Sequence, residues 1–120
     1  QYMPMAKALA HSAYDMHSKG ALHLDFSPGN ILWDYDHDGN IVFSIVDINR
    51  MHFGTITQKQ ACCSFARLWG PKEFIVSIVS EYAQLAGYDI SSSMNICLEE
   101  RRRFWTRYQR KREIEFNLEL

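Results

Sequence analysis

Three oxygen-bearing side chains along a short part of the sequence are suited to chemistry on a hydroxyl group and a metal ion. Asp25 and Asn30 belong to the segment 23–30, which reads HLDFSPGN and has the form H-x-D-x-x-x-x-N, and Asp47 ends a later apolar run. A carboxylate is ionised at neutral pH and can accept a proton from a hydroxyl group. Amide and carboxylate oxygens are the hard ligands that Mg²⁺ prefers. Residues of these types can therefore serve as a proton acceptor and as oxygen ligands of a metal ion.

Each of these residues also has a structural interpretation. The alternatives are that Asp25 caps its own turn before Pro28, that Asn30 is an ordinary turn residue and that Asp47 caps a strand end. The occurrence of all three at this spacing favours the chemical interpretation. We expect His23 to support the loop by hydrogen bonds from its ring to the backbone, since proton acceptance falls to Asp25.

A helix and a β-hairpin are predicted to position these side chains. Apolar residues recur at helical spacing over about residues 4–19, between Pro4 and the candidate C-cap Gly20. Residues 31–35 and 41–46 are rich in β-branched and aromatic residues, and turn-forming residues separate them, which is typical of a hairpin. Because antiparallel strands place the start of one beside the end of the other, the hairpin brings Asp47 close to Asn30.

The second half of the chain reads as mostly helical. Residues 48–57 are predicted to form an irregular loop around Gly54, and helices are expected over about 58–69, 72–86 and 94–117. Ser91, Ser92 and Ser93 are candidate N-caps of the last helix. Seven basic residues make that helix cationic, which indicates either a solvated face or a patch for an anionic acceptor or a membrane surface. They are Arg101, Arg102, Arg103, Arg107, Arg110, Lys111 and Arg112.

Composition limits the classes of protein to consider. The chain has 120 residues with 47% hydrophobic and 22% charged residues, which predicts a single folded domain over 1–120. The net charge is −1 and the arginines interleave with glutamates, which argues against a nucleic-acid binder. The three cysteines, Cys62, Cys63 and Cys97, form neither a disulfide framework nor a CxxC zinc pattern, and this favours a reducing compartment.

The acidic hairpin turn also matches the opening of a calcium-binding loop. Asp34, Asp36, Asp38 and Gly39 read D-x-D-x-D-G, as at the start of an EF-hand. Position twelve of that loop is normally a bidentate glutamate, and here it is Ile45 within a strand-like run. We therefore predict a hairpin turn.

The motif, the hairpin and Asp47 together resemble the protein-kinase-like phosphotransferases. The segments that carry the resemblance are LHLDFSPGNIL at 22–32 and IVDINR at 45–50, and it covers about residues 5–55. Within that group the chain is most similar to the bacterial lipopolysaccharide kinases, which phosphorylate Kdo or heptose sugars of the inner core. The implied fold is α+β, a mostly helical protein-kinase-like C-terminal lobe with a small β-hairpin next to the catalytic loop.

The resemblance implies roles for the site residues. Asp25 would meet the attacking hydroxyl group, and Asn30 and Asp47 would hold Mg²⁺ on the phosphates of ATP. The expected activity is ATP- and Mg²⁺-dependent phosphorylation of a sugar hydroxyl of the lipopolysaccharide core. The expected location is the cytoplasm, with peripheral contact at the cytoplasmic face of the inner membrane left open.

Departures from the protein-kinase pattern refine these expectations. Leu24 stands in place of the usual arginine, and Asp47-Ile48-Asn49 in place of D-F-G, which argues against a protein substrate. No glycine-rich loop or strand lysine precedes the site, so we expect a fragment of a longer kinase that lacks its N-lobe and is inactive alone. The alternatives are a small-molecule kinase of the aminoglycoside or choline kinase type, and a non-catalytic, pseudokinase-like binding module.

Overall fold

A computed structural model describes residues 3–111 and residue 119 of the chain. Within these residues the fold is α+β, as predicted, with four α-helices and two antiparallel two-stranded sheets. The elements in chain order are α1 (Met3–Ser18), β1 (Ala21–His23), β2 (Ile31–Tyr35), β3 (Ile41–Ile45), β4 (Met51–Phe53), α2 (Gln58–Ser64), α3 (Lys72–Ala86) and α4 (Ile90–Gln109). Short 3₁₀ turns cover Pro28–Asn30, Ile48–Arg50 and Phe65–Arg67.

The helices α1 and α3 form the centre of the fold. Each is followed by a glycine with positive φ, Gly20 at 81° shortly after α1 and Gly87 at 75° directly after α3, a backbone conformation that glycine adopts without steric penalty. The two helices pack against each other through small and branched side chains. The described core residues are Ala6, Leu9, Ala10, Ala13, Phe26, Ala61, Cys62, Phe65, Leu68, Ile75, Ile78, Val79, Tyr82 and Cys97.

The hairpin predicted from the turn residues is confirmed. Strands β2 and β3 pair in register from Ile31 opposite Ile45 to Tyr35 opposite Ile41. The carboxylate of Asp36 accepts hydrogen bonds from the backbone N–H groups of Asp38 and Asn40, which closes the turn. The acidic run is therefore a hairpin turn, as predicted.

The prediction of an irregular loop over 48–57 is wrong. Residues 51–53 form β4, which pairs antiparallel with β1 so that His23 lies opposite Met51. Backbone hydrogen bonds extend the pairing at both ends, from Leu24 N to Arg50 O at 2.7 Å and from Gly54 N to Gly20 O at 2.8 Å. These short strands pair residues about thirty positions apart in the chain. This sheet therefore fixes the segment that contains Asp47 against the segment that begins at His23.

The predicted bounds of the two later helices also need correction. Helix α2 begins at a capping box between Thr57 and Gln60 but ends at Ser64, where the chain tightens into the 3₁₀ turn. Helix α4 begins at Ile90, because Asp89 and not the serine run supplies the N-cap, accepting a hydrogen bond from Ser92 N. It ends at Gln109, and the predicted end at 117 lies outside the described residues.

The basic face of α4 is not uniformly solvated. Arg101 is only 1% exposed, and its Nη2 donates to the backbone oxygen of Gly70 at 3.3 Å. Trp105 on the same helix is fully buried. Within residues 3–111, no helix combines the length and the apolar character that spanning a lipid bilayer requires.

A buried histidine in the core makes stability depend on pH. The ring of His17 is 6% exposed, and its Nδ1 lies 2.7 Å from the hydroxyl of Tyr82. Burial lowers the pKa of His17 from 6.5 to about 4, because the core disfavours the charged ring. The unfolded chain therefore takes up a proton at a higher pH than the folded chain.

We expect the free energy of unfolding to fall as the pH drops from 6.5 to about 4. Below pH 4, His17 should cause no further decrease. One pKa unit corresponds to about 1.4 kcal/mol, so the loss through His17 is on the order of 3 kcal/mol. The loss is measured by urea unfolding of the wild-type protein and of His17→Gln at pH 7 and at pH 4. The exposed His11→Gln variant is the control. An equal pH dependence in all three proteins would contradict the assignment.

Candidate functional site

The predicted catalytic loop lies between β1 and β2, and its two ends are fixed by the two sheets. His23 is the last residue of β1, and Asn30 ends the 3₁₀ turn that leads into β2. Pro28 opens this turn, where its fixed φ is suited to the first helical position. The loop between them is short, so the positions of Asp25 and Asn30 depend on each other.

The ring of His23 connects the loop to the segment before Asp47. Its Nε2 lies 2.8 Å from the backbone oxygen of Val46 and 3.1 Å from that of Asp47, and its Nδ1 accepts a hydrogen bond from Asp25 N at 2.9 Å. Because carbonyl oxygens only accept, the proton lies on Nε2. The ring is 1% exposed. His23 thus binds the backbone on both sides of the site, which is the geometry expected for a supporting residue.

Asn30 directs its amide nitrogen toward Asp25. Its Nδ2 donates to the backbone oxygen of Asp25 at 2.9 Å and to the Oδ2 atom of that residue at 3.1 Å. The backbone oxygen of Asn30 accepts a hydrogen bond from Val46 N at 2.9 Å, which extends the hairpin by one pair. Since the amide nitrogen is used in this way, the Oδ1 atom of Asn30 is the acceptor that a cation can use.

Asp47 follows Val46 directly and has a left-handed backbone, with φ 62° and ψ 59°. Few residue types other than glycine adopt this conformation, and aspartate and asparagine are the least strained among them. The conformation turns the chain out of the hairpin into the 3₁₀ turn at Ile48–Arg50 and on to β4. The hairpin therefore brings Asp47 beside Asn30 in the chain path, as the antiparallel pattern predicts.

The backbone of Asp47 leads to a prediction about stability. Asp47→Asn is expected to leave the free energy of unfolding unchanged, because asparagine tolerates the left-handed region. Asp47→Ala is expected to lower it by about 1 kcal/mol, since alanine is strained there. Urea unfolding of both variants measures the difference. Equal stability of the two would show that the conformation imposes no strain.

A residue that the sequence did not single out completes the group. Arg67, in the 3₁₀ turn after α2, places Nη1 3.4 Å from Oδ1 of Asp25. Its guanidinium also lies over the ring of Phe104, 4.9 Å from the centroid, and this contact holds it from the α4 side. The signal in the sequence is a single charge within the apolar run Phe65-Ala66-Arg67-Leu68-Trp69.

The donor set fits a cation that takes part of its coordination from a ligand. In the part of the chain that the structure describes, no group of three or more His, Cys, Asp or Glu side chains could hold a metal by itself. Asn30 and Asp47 offer two hard oxygen donors, and Mg²⁺ is usually bound by one or two protein groups with phosphates and waters. These two residues could therefore supply part of the coordination of Mg²⁺.

A pocket of about 140 Å³ adjoins the loop on the side of α2 and α4. Leu22 and Phe26 form an apolar part of its wall, and both are nearly fully buried. The other lining residues are His23, Leu24, Gln60, Cys63, Ser64, Arg67 and Glu100. Burial raises the pKa of Cys63, which keeps its thiol protonated and argues against a nucleophilic role.

Comparison with known proteins returned no match. No protein-family model, no curated protein and no solved structure is similar to this chain at a significant level. The geometry of Asp25, Asn30 and Asp47, together with the resemblance of their motif, is therefore the basis for a functional proposal.

Proposed function

We propose that this chain carries the catalytic loop and the magnesium-binding residues of an ATP-dependent phosphotransferase that acts on a sugar hydroxyl. One observation carries the proposal: Asn30 binds Asp25 through its amide nitrogen and Val46 through its backbone oxygen, and Asp47 follows Val46. The three residues to which the proposal assigns proton acceptance and magnesium binding therefore belong to segments that join at one end of one hairpin. In the proposed enzyme this fold is the protein-kinase-like C-terminal lobe.

Asp25 is the proton acceptor in this mechanism. The acceptor oxygen forms a bond to the γ-phosphorus while the bond from that phosphorus to the bridging oxygen breaks, and ADP leaves. The proton of the hydroxyl passes to the carboxylate of Asp25. The side chain is 30% exposed, so a substrate can reach it. Arg67 and Asn30 each contact one carboxylate oxygen of Asp25 and hold the side chain in place. The side chain therefore loses less conformational freedom when the acceptor binds.

Asn30 and Asp47 would hold the magnesium ion. When it is bound there, Mg²⁺ neutralises the negative charge on the phosphate oxygens of ATP. Asn30 contributes a neutral oxygen and Asp47 a charged one. His23 fixes the backbone of Asp47 and of the loop at the same time, and so it sets the distance between proton acceptor and metal ligands.

An exposed, partly apolar face on the hairpin supports nucleotide binding beside these ligands. Leu32 lies opposite Ser44 and Asp34 lies opposite Val42, so these residues share one face of the sheet, and Val46 continues it two residues after Ser44. Leu32 is 56% exposed and Val46 37%. A flat purine ring can cover such a face, with its phosphates toward Asn30 and Asp47.

The acceptor in this proposal is a sugar of the lipopolysaccharide inner core, Kdo or heptose, and the motif's resemblance to the lipopolysaccharide kinases supports it. The proposed place of action is the cytoplasmic face of the inner membrane. Phosphorylation of another small molecule, of the aminoglycoside or choline type, uses the same three residues. An assay of transfer to each acceptor class separates these substrates.

The nucleotide site is tested by manganese, a paramagnetic substitute for magnesium. We expect Mn²⁺ with ATP to broaden the amide NMR signals of Asn30, Leu32 and Asp47 in ¹⁵N-labelled protein. Asp47→Asn, which is expected to stay folded, should lose this broadening. Asp38→Asn in the exposed hairpin turn is the matched control and should keep it.

Broadening that is absent in the protein of full natural length would overturn the proposal. Broadening at the hairpin without phosphoryl transfer to any acceptor would instead indicate a non-catalytic, nucleotide-binding module. Broadening that persists in Asp47→Asn would remove Asp47 from the metal site.

A further inference from the structure

The pocket beside the catalytic loop has the size and chemistry of a binding site for one small ring. Its volume is about 140 Å³. An engineered protein cavity of about 150 Å³ accommodates a benzene molecule, so this open pocket has room for a six-membered ring whose hydroxyl groups extend toward solvent. Apolar side chains supply part of the wall and polar side chains the rest, which suits a molecule with C–H faces and hydroxyl groups at its edge.

The polar groups of the wall keep capacity for hydrogen bonds. Gln60 uses Oε1 to accept from Thr57 N in the capping box, which leaves its NH₂ group as a donor. Ser64 donates its hydroxyl proton to the backbone oxygen of Ala61 and keeps its lone pairs as acceptors. Glu100 binds Arg103 through Oε1 at 3.0 Å, and its Oε2 is a second acceptor. The wall therefore offers both donors and acceptors, which a ring with several hydroxyl groups can use.

Arg67 connects this pocket to Asp25. It lines the pocket, it is 37% exposed, and one of its five N–H donors points to Asp25 Oδ1 at 3.4 Å. Phe104 holds the guanidinium from the other side. A hydroxyl group bound by the remaining donors of Arg67 lies within reach of the Asp25 carboxylate. The other described pocket next to Phe26, between α1 and the hairpin, has mostly apolar lining residues and no arginine.

We propose that this pocket binds the acceptor as a single polyhydroxylated six-membered ring, with Arg67 presenting one ring hydroxyl to Asp25. The assignment of the ring as acceptor rests on the proposed function, because Asp25 receives the hydroxyl proton only in phosphoryl transfer. Binding of the ring itself needs no nucleotide. The pocket and the nucleotide site can therefore be tested separately.

The test is an NMR titration of the ¹⁵N-labelled protein without nucleotide. The ring probes are glucose, glucuronate and myo-inositol at millimolar concentrations, and the control is sorbitol, an open-chain polyol. We expect the ring probes, but not sorbitol, to shift the amide signals of Gln60, Ser64 and Arg67. Comparing glucuronate with glucose shows whether binding requires a negative charge on the ring or only the ring itself.

Two variants show whether the shifts report the pocket. Ser64→Met fills it and is expected to abolish the shifts, whereas Ser12→Met, the same change in the pocket between α1 and the hairpin, should leave them intact. Arg67→Gln is two bonds shorter and loses the charge and most of the N–H donors, so it should also lose ring binding. It serves as the second variant where Ser64→Met fails to fold.

The absence of shifts with every ring probe would overturn the proposal, as would equal shifts with sorbitol or shifts that survive in both pocket variants. The manganese experiment is independent of these results. Broadening at Asn30 and Asp47 without ring binding would overturn only the proposal that the pocket binds a ring. Ring binding without broadening would support that proposal and overturn only the proposed phosphotransferase function.

Discussion

Asp25→Asn is expected to lower the rate of phosphoryl transfer by about 10²- to 10⁴-fold, the range typical of a lost general base. The side chain keeps its shape, and one amide oxygen still accepts from Arg67 or Asn30, so the fold should be retained. An amide cannot take up the proton of the acceptor hydroxyl. The measurement is kcat at saturating ATP and sugar acceptor with the protein of full natural length, and urea unfolding checks the fold.

The effect should lie in kcat and leave KM for ATP near its wild-type value, because in the proposed mechanism Asp25 acts on the acceptor hydroxyl and not on the nucleotide. Asp38→Asn is the matched control, since Asp38 is an exposed residue of the hairpin turn whose backbone N–H donates to the Asp36 carboxylate. Turnover of Asp25→Asn within a few-fold of wild type would favour the structural interpretation, in which Asp25 caps its own turn.

The elements that local sequence determines were predicted closely. The hairpin was expected at 31–35 and 41–46 and lies at Ile31–Tyr35 and Ile41–Ile45, because its turn residues and its β-branched runs are adjacent in the chain. Helix α3 was expected at 72–86 and has those bounds. Its C-cap at Gly87 is a local signal as well.

The features that distant residues determine were not predicted. Strand β4 has three residues, too few for a periodic pattern, and it exists because β1 lies beside it. The approach of Arg67 to Asp25 spans 42 positions and depends on where α2 ends and α4 packs. The left-handed backbone of Asp47 follows from the hairpin and the β1–β4 sheet together, and no local motif indicates it. The three candidate site residues were thus selected by type, and the proximity of Asn30 and Asp47 followed from the hairpin pattern, whereas the approach of Arg67 required the fold.

Trp105→Ala is expected to lower the free energy of unfolding by about 3–5 kcal/mol, the usual loss when a buried aromatic residue is removed from a core. Trp105 is fully buried, and its Nε1 donates to the backbone oxygen of Ala66 at 2.9 Å. The substitution creates a cavity and leaves that oxygen without this donor. Since a domain of this kind is stable by about 5–15 kcal/mol, the loss is a large fraction of the total.

Trp69→Ala is the matched control for this prediction. Trp69 contacts Trp105 edge to face with ring centroids 6.1 Å apart, but it is 51% exposed, so its loss should cost only about 1 kcal/mol. Urea unfolding followed by far-UV circular dichroism measures both variants without relying on tryptophan fluorescence. Equal losses would show that Trp105 does not anchor α4.

Because Ala66 directly precedes Arg67, loss of the Trp105 contact with Ala66 should also displace Arg67 from Asp25. Trp105→Ala should therefore weaken ring binding even at temperatures where it remains folded.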